Sequence, residues 1–260
     1  MYRRGSLVWP LILITLGVLF LLANFQVIPD VGEFIGRWWP AILILLGLEA
    51  LLGSMWPGQK RDAQNLSINL GAITQAEVKI DFGAGQLTLG AAAPGKLVDG
   101  TFDGGVRHHE SSAGRVHLRS DNGGWWGWGW HGFDWRVGLT REVPLALRID
   151  VGAARSDLDL SDLKVTDFVL KTGASETMVR LPTAAGLTRV RVESGAASVK
   201  LTVPEGVAAR IRSTMGLGAS NIDQRRFPRN GEYYQSPDYD SAANKIDIQS
   251  EGGVGSVSVN

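Results

Sequence analysis

Four histidines, His108, His109, His117 and His131, fall within one short stretch of this chain, and clustered imidazoles are where a metal or a proton relay is first sought. Their separations of one, eight and fourteen residues match neither a ligand pair on one helical face nor a zinc motif. They are read as solvated loop side chains. Cysteine is absent, which removes thiolate ligands, cysteine nucleophiles and disulfides together. Asp157 and Asp159 share one face of a strand pattern in GAARSDLDL, an arrangement that calcium-binding repeats multiply into a ladder. The equivalent places in the other copies of this pattern hold Thr88, Thr177 and Lys200, so no carboxylate ladder is expected. GAGQLTLG has the glycines of a phosphate cradle but leads into a strand pattern, and no P-loop, nucleophile elbow or H-E-x-x-H occurs. The expectation is a protein that is not an enzyme and that holds neither cofactor nor metal.

The remaining chemistry is aromatic. The stretch GGWWGWGWHGFDW holds Trp125, Trp126, Trp128, Trp130 and Trp135, five of the nine tryptophans in the chain. Exposed, these rings form an anchor for a protein partner, a glycan or the membrane interface. Folded back, the same loop hides the end or face of a core. Nucleic acid is not an expected partner, because 26 basic and 26 acidic residues leave no net positive field.

The elements that carry these groups fall into two regions. From Leu7 to Asn24 the chain runs eighteen residues without a charge, about 27 Å as a helix against a hydrocarbon core of about 30 Å. Trp38 to Met55 is a second run of the same length that carries one charge, Glu49. Trp9, Trp38, Trp39 and Trp56 lie near the ends of the runs, where indole rings favour the lipid interface. Two spans in the bilayer are therefore expected over residues 1–57, with 58–64 as linker. Arg3, Arg4, Lys60 and Arg61 flank the pair on one side, and the positive-inside rule places both termini in the cytoplasm. Glu49 has no Lys, Arg or His in the first span to pair with, so a structural or protein-contact role is favoured for it over a proton site. GVLFLLANF, a connector and then WWPAILILLGLEALL resemble the LiaI/LiaF-like transmembrane region.

After the linker the chain turns to short alternating runs broken at glycine. VKIDFGAGQLTL, LRIDVGAARSDLDL, FVLKTGASETMVRL, VRVESGAASVKLTV and a looser RIRSTMGLGASNID align on Gly83, Gly152, Gly173, Gly195 and Gly216, and the last four are spaced by 21, 22 and 21 residues. A final copy, KIDIQSEGGVGSVSVN, ends the chain. Val78, Ile80 and Phe82 alternate with Glu77, Lys79 and Asp81, so each copy reads as strand, Gly-Ala corner, strand with one face buried. The glycines are expected to supply the backbone angles of the corner. Such coils cannot close a core singly and must stack. The predicted fold is mainly β, a glycine-cornered β-solenoid over 65–260 with coils of roughly 21–22 residues, preceded by a two-helix transmembrane hairpin and interrupted by a Gly/Trp-rich insertion at about 103–136. These repeats resemble the domains called toast-rack, LiaF-like C-terminal or adhesin domains. The resemblance implies an integral membrane protein acting by protein contact, in the manner of LiaF-like proteins that restrain the sensor kinase of a two-component system during cell-envelope stress. It also implies a second reading, a self-associating scaffold or surface adhesin.

Overall fold

The computed structural model describes residues 63–111, 114–120 and 133–260; the two apolar runs with Glu49, and residues 121–132 of the Trp-rich loop, lie outside it. The alternation noted at Glu77–Phe82 becomes strand, with Val78, Ile80 and Phe82 buried. The strands are β1 (Gln64–Asn69), β2 (Ala76–Ala91), β3 (Lys96–Phe102), β4 (Val106–Ser111), β5 (Arg115–Ser120), β6 (Phe133–Leu139), β7 (Leu145–Asp159), β8 (Val165–Thr172), β9 (Glu176–Arg180), β10 (Leu187–Thr202), β11 (Ala208–Ile222), β12 (Arg229–Asn230), β13 (Tyr233–Gln235) and β14 (Lys245–Val259).

Each long strand changes phase at its glycine. In β7 the buried residues are Leu145, Leu147, Ile149 and Val151 before Gly152, and Ser156 and Leu158 after it. In β10 burial likewise passes from Val190 and Val192 to Ala197, Val199 and Leu201. The hydrogen-bond ladder shifts at the same place, where the adjacent amides of Gly173 and Ala174 donate to Val151 O (2.9 Å) and Gly152 O (3.0 Å) of the preceding coil. In β2, β7, β10 and β14 both halves face one apolar cluster, so the strand turns a corner around its own core. Parallel register then lines up interior columns: Val116, Val78, Leu147, Phe168, Val190, Ile248 and Ile211 succeed one another across the stack, none more than 2% exposed. Burial of each such side chain contributes about 1.5–3 kcal/mol relative to exposure, and the sum depends on neighbours being present.

Three features differ from the sequence expectation. First, the stack does not follow chain order. β14 lies parallel between β10 and β11, so Gly216 abuts Gly253 and not Gly195. Second, part of the stretch at 103–136 lies in the sheet itself: β5 pairs with the first half of β2 and β6 with its second half. Third, none of Gly83, Gly152, Gly173, Gly195 and Gly216 has a positive φ. At Gly152, Gly173 and Gly195 the constraint is contact: a Cβ on Gly173 would stand 2.8 Å from Gly152 O, one on Gly195 would stand 3.1 Å from Gly173 O, and one on Gly152 would collide with Gly83 O.

Gly152→Ala and Gly173→Ala in the full chain are expected to lower stability by about 1–3 kcal/mol, because a backbone carbonyl must move. Gly90→Ala, which meets open space at an ordinary φ, is expected to stay within about 0.5 kcal/mol. Thermal unfolding of the three variants checks this, and equal Tm values would remove the close-contact account. The position of β14 gives a second expectation. Deleting Lys245–Asn260 strips β11 of its long neighbour, so limited proteolysis should then cut within 208–244 instead of leaving a stack one coil shorter.

Candidate interaction surface

Outward positions before the corner carry most of the charge, and parallel register turns them into ladders. Asp81, Asp150, Lys171, Glu193 and Glu251 succeed one another on adjacent coils. Lys79 reaches Asp81 at 3.1 Å and Asp150 at 3.4 Å, His117 Nε2 lies 2.7 Å from Asp81 Oδ2, and Lys171 pairs with Glu193 at 2.6 Å. Burial works to raise the Asp81 carboxyl, but hydrogen bonds from His117 and Lys79 and the Lys79 charge hold it below its ordinary value. Its partner Lys79 is raised, first by the hydrogen bond to Asp81. Each pair is partly solvated and contributes at most about 1 kcal/mol.

Between this ladder and the corner runs an open groove lined by Asp150, Lys171, Glu193 and Glu251 on one side and by Gly152, Gly173, Gly195 and Gly253 on the other. The groove exists because glycine leaves no side chain there. It is open along its length and lacks the enclosed apolar walls of a small-molecule site.

Beyond the corner Arg155 pairs with Glu176 at 2.5 Å, and Arg180 spans Asp157 (3.5 Å) and Asp159 (3.6 Å). The two carboxylates singled out in the sequence thus meet a guanidinium. Burial raises Asp159, while the hydroxyl and amide of Ser161, with Arg180, hold its carboxyl below the ordinary range. His108 and His109 are exposed on β4 and His117 is engaged by Asp81; among the described residues no three His, Asp or Glu side chains converge as a metal site.

Trp135 departs from the expected contact role. It lies in β6 at 1% exposure, with Phe102 in edge contact at 4.9 Å and Phe82 at 5.2 Å, and its indole N–H donates to Asp103 O at 3.3 Å. It is a core residue because it opposes buried Leu87 in the ladder. Trp125, Trp126, Trp128, Trp130, His131 and Glu49 lie outside the described residues.

One surface was not singled out from sequence. The second half of β11 carries Leu217 at 77% exposure beside Val254 of β14 at 52%. Its signal was the looseness of the fifth repeat, in which Gly218 and Ser220 stand where β10 has Ala197 and Val199.

Residues 56–202 match the family described as the N-terminal domain of toast_rack, DUF2154. The chain belongs to that family. Residues 7–51 match the LiaI-LiaF-like transmembrane region, so the toast_rack domain follows a membrane-associated segment. Among solved structures, a "putative cell adhesion protein" from Clostridium sporogenes has the same fold, with a TM-score of 0.69 at 18% identity over 77% of this chain and 99% of that one. A "putative adhesin" from Bacteroides fragilis aligns with a TM-score of 0.35 at 7% identity, over 76% and 97% of the two chains. No curated protein matches the chain. The toast_rack match ends at Thr202, the last residue of β10, so β11 to β14 lie beyond it.

The depressed Asp81 carboxyl has a pH consequence. A carboxyl lowered in the folded state stabilises the fold above its unfolded value of about 3.9 and loses that contribution as pH falls through the folded value. Asp81→Asn is therefore expected to be less stable than the parent at pH 7, with the gap closing in acid. A gap independent of pH in paired denaturation series would show that the His117 and Lys79 contacts to Asp81 do not stabilise the fold.

Proposed function

We propose that this chain is a bacterial two-span membrane protein whose toast_rack stack acts by protein contact and not by catalysis, restraining a membrane sensor kinase of a two-component system that responds to cell-envelope stress. The observation that carries this reading is the order of the two regions, a LiaI-LiaF-like transmembrane region at 7–51 followed by a toast_rack domain from 56. The surface agrees with it: ionic ladders and an open groove are suited to a protein surface, and neither matched family is named for a catalytic activity. In this reading Arg3, Arg4, Lys60 and Arg61 hold both termini and the β stack on the cytoplasmic side. The bilayer is the first partner and the kinase the second. Glu49 and the tryptophans at 125, 126, 128 and 130 are candidate contacts to one or the other.

A surface adhesin or self-associating scaffold is the second reading, favoured by the fold shared with the Clostridium sporogenes protein. Topology separates the two. The fusion point is Asn260, because a junction at buried Ser250 would divide β14. A reporter active only in the cytoplasm is expected to work there, and deletion of the chain is expected to raise kinase-dependent transcription without added stress. Activity of an export-dependent reporter at Asn260 would replace the regulator with the adhesin.

A further inference from the structure

The exposed length of β11 is an unblunted sheet edge. β14 pairs with one side of the strand throughout, whereas β13 covers the other only at Arg210 and Ile211. From Ser213 onward that side has no strand partner among the described residues, so within them a row of main-chain donors and acceptors is left without a ladder. Proteins usually protect such edges with charge, proline or a bulge. β4, which lies off the main strand order and pairs with β5, carries Arg107, His108, His109 and Glu110 as exposed residues, whereas β1 at the other end of the order, QNLSIN, is uncharged as well. Ser213–Ile222 holds no charged residue and no proline, and it presents Leu217, with Val254 alongside, as the most exposed large apolar side chains among the described residues.

The order of side-chain sizes along this edge identifies what fits it. Ser213 and Met215 stand in register with buried Ser250 and with Gly252, on the core face before the corner. Gly218 and Ser220 stand in register with Gly255 and buried Val257, on the core face after it. Residues opposed across an antiparallel pair project to the same face. A strand running back along this edge must therefore set core-facing positions against core-facing positions across the corner. The segment's own reverse does so in one register: Met215 against Gly218 and Ser213 against Ser220 on the core face, Leu217 against Gly216 and Thr214 against Ala219 on the outer face. The large residues then oppose glycine and no charge meets its like. The two-fold axis falls between Gly216 and Leu217, where the coil changes phase, so both strands bend together. The isologous contact is closed and does not propagate.

We infer that Ser213–Ser220 pairs antiparallel with the same segment of a second copy of this chain, making the β11 edge a dimer contact. The proposal goes beyond the regulatory reading and does not rest on it. An eight-residue strand pair falls in the range of small interfaces, below about 1,200 Å², so the contact is reversible and is best trapped in the membrane that confines the full chain.

Because the chain has no cysteine, register can be read by disulfide trapping. Thr214→Cys with Ala219→Cys, both at exposed positions, brings unlike sites of two copies together. Within one copy those sites lie on opposite sides of the corner, well beyond the roughly 7 Å Cα separation that a disulfide tolerates. Mild oxidation of membranes should give a band of twice the monomer mass for the double variant and only monomer for each single variant. Adding Leu217→Lys should abolish the dimer band, while circular dichroism of the detergent-solubilised chain stays unchanged, since that side chain is solvated in one copy. Monomer alone from the double variant, equal linking by the single variants, or a band joining the chain to a different protein would each overturn the proposal. Kinase output and reporter side are separate measurements, so none of these outcomes bears on the regulatory reading.

Discussion

Adjacent coils of the stack approach at the spacing of hydrogen-bonded strands, about 4.8 Å, and at the corner this leaves room for a hydrogen atom but not for a methyl group. Gly152 faces the carbonyl of Gly83, Gly173 that of Gly152, Gly195 that of Gly173, Gly253 that of Gly195 and Gly216 that of Gly253. A side chain at one rung would push apart two coils that also share the interior columns on both sides of the corner. The register of those columns, the alignment of the outer ionic ladder and the groove beside the glycines all follow from this column of close contacts.

The same constraint makes the C-terminal strand a structural key. β14 presents its own glycine, Gly253, at the corner and places Ile246, Ile248, Val257 and Val259 in line with the cores on either side. It follows β11, β12 and β13 in sequence but lies inside β11 in the stack, so β11 packs on a strand that comes later in the chain. Contacts of this sequence separation raise the contact order and slow folding relative to a solenoid assembled coil by coil. The apolar columns also thin out here. Val192 is followed by Ser250 and Ser213, joined by a 2.7 Å hydrogen bond, and Val257 by Ser220. A terminal coil that contributes serine to the interior leaves less apolar surface uncovered, as end repeats of arrays generally do.

Outside the core the surface divides into a charged, internally compensated part and an uncharged edge. Lys79, Lys171, Arg155 and Arg180 each bind carboxylates of neighbouring coils, so part of the charge serves coil-to-coil pairing. Net charge of zero over the chain is consistent with that use. The edge of β11 differs because, from Ser213 onward, the side away from β14 has no strand partner among the described residues.

What the sequence alone determined is local: which face of each strand is buried at Val78, Ile80 and Phe82, where the corners fall, and that coils must stack to close a core. These follow from period-two alternation within each copy and from the repeat spacing between copies along the sequence. The family resemblance was legible for the same reason, since it rests on short motifs in order. Tertiary structure decided the rest. Local pattern cannot rank neighbours among copies that look alike, so the insertion of β14 between β10 and β11 was not readable, nor was the pairing of β5 and β6 with the two halves of β2. Trp135 was grouped with its neighbouring tryptophans by sequence, but the ladder sets it opposite Leu87 against Phe82 and Phe102. The corner glycines were expected to be needed for their backbone angles, whereas the need arises from a carbonyl on the next coil. An intercoil distance is a property of two segments at once, and no single segment encodes it.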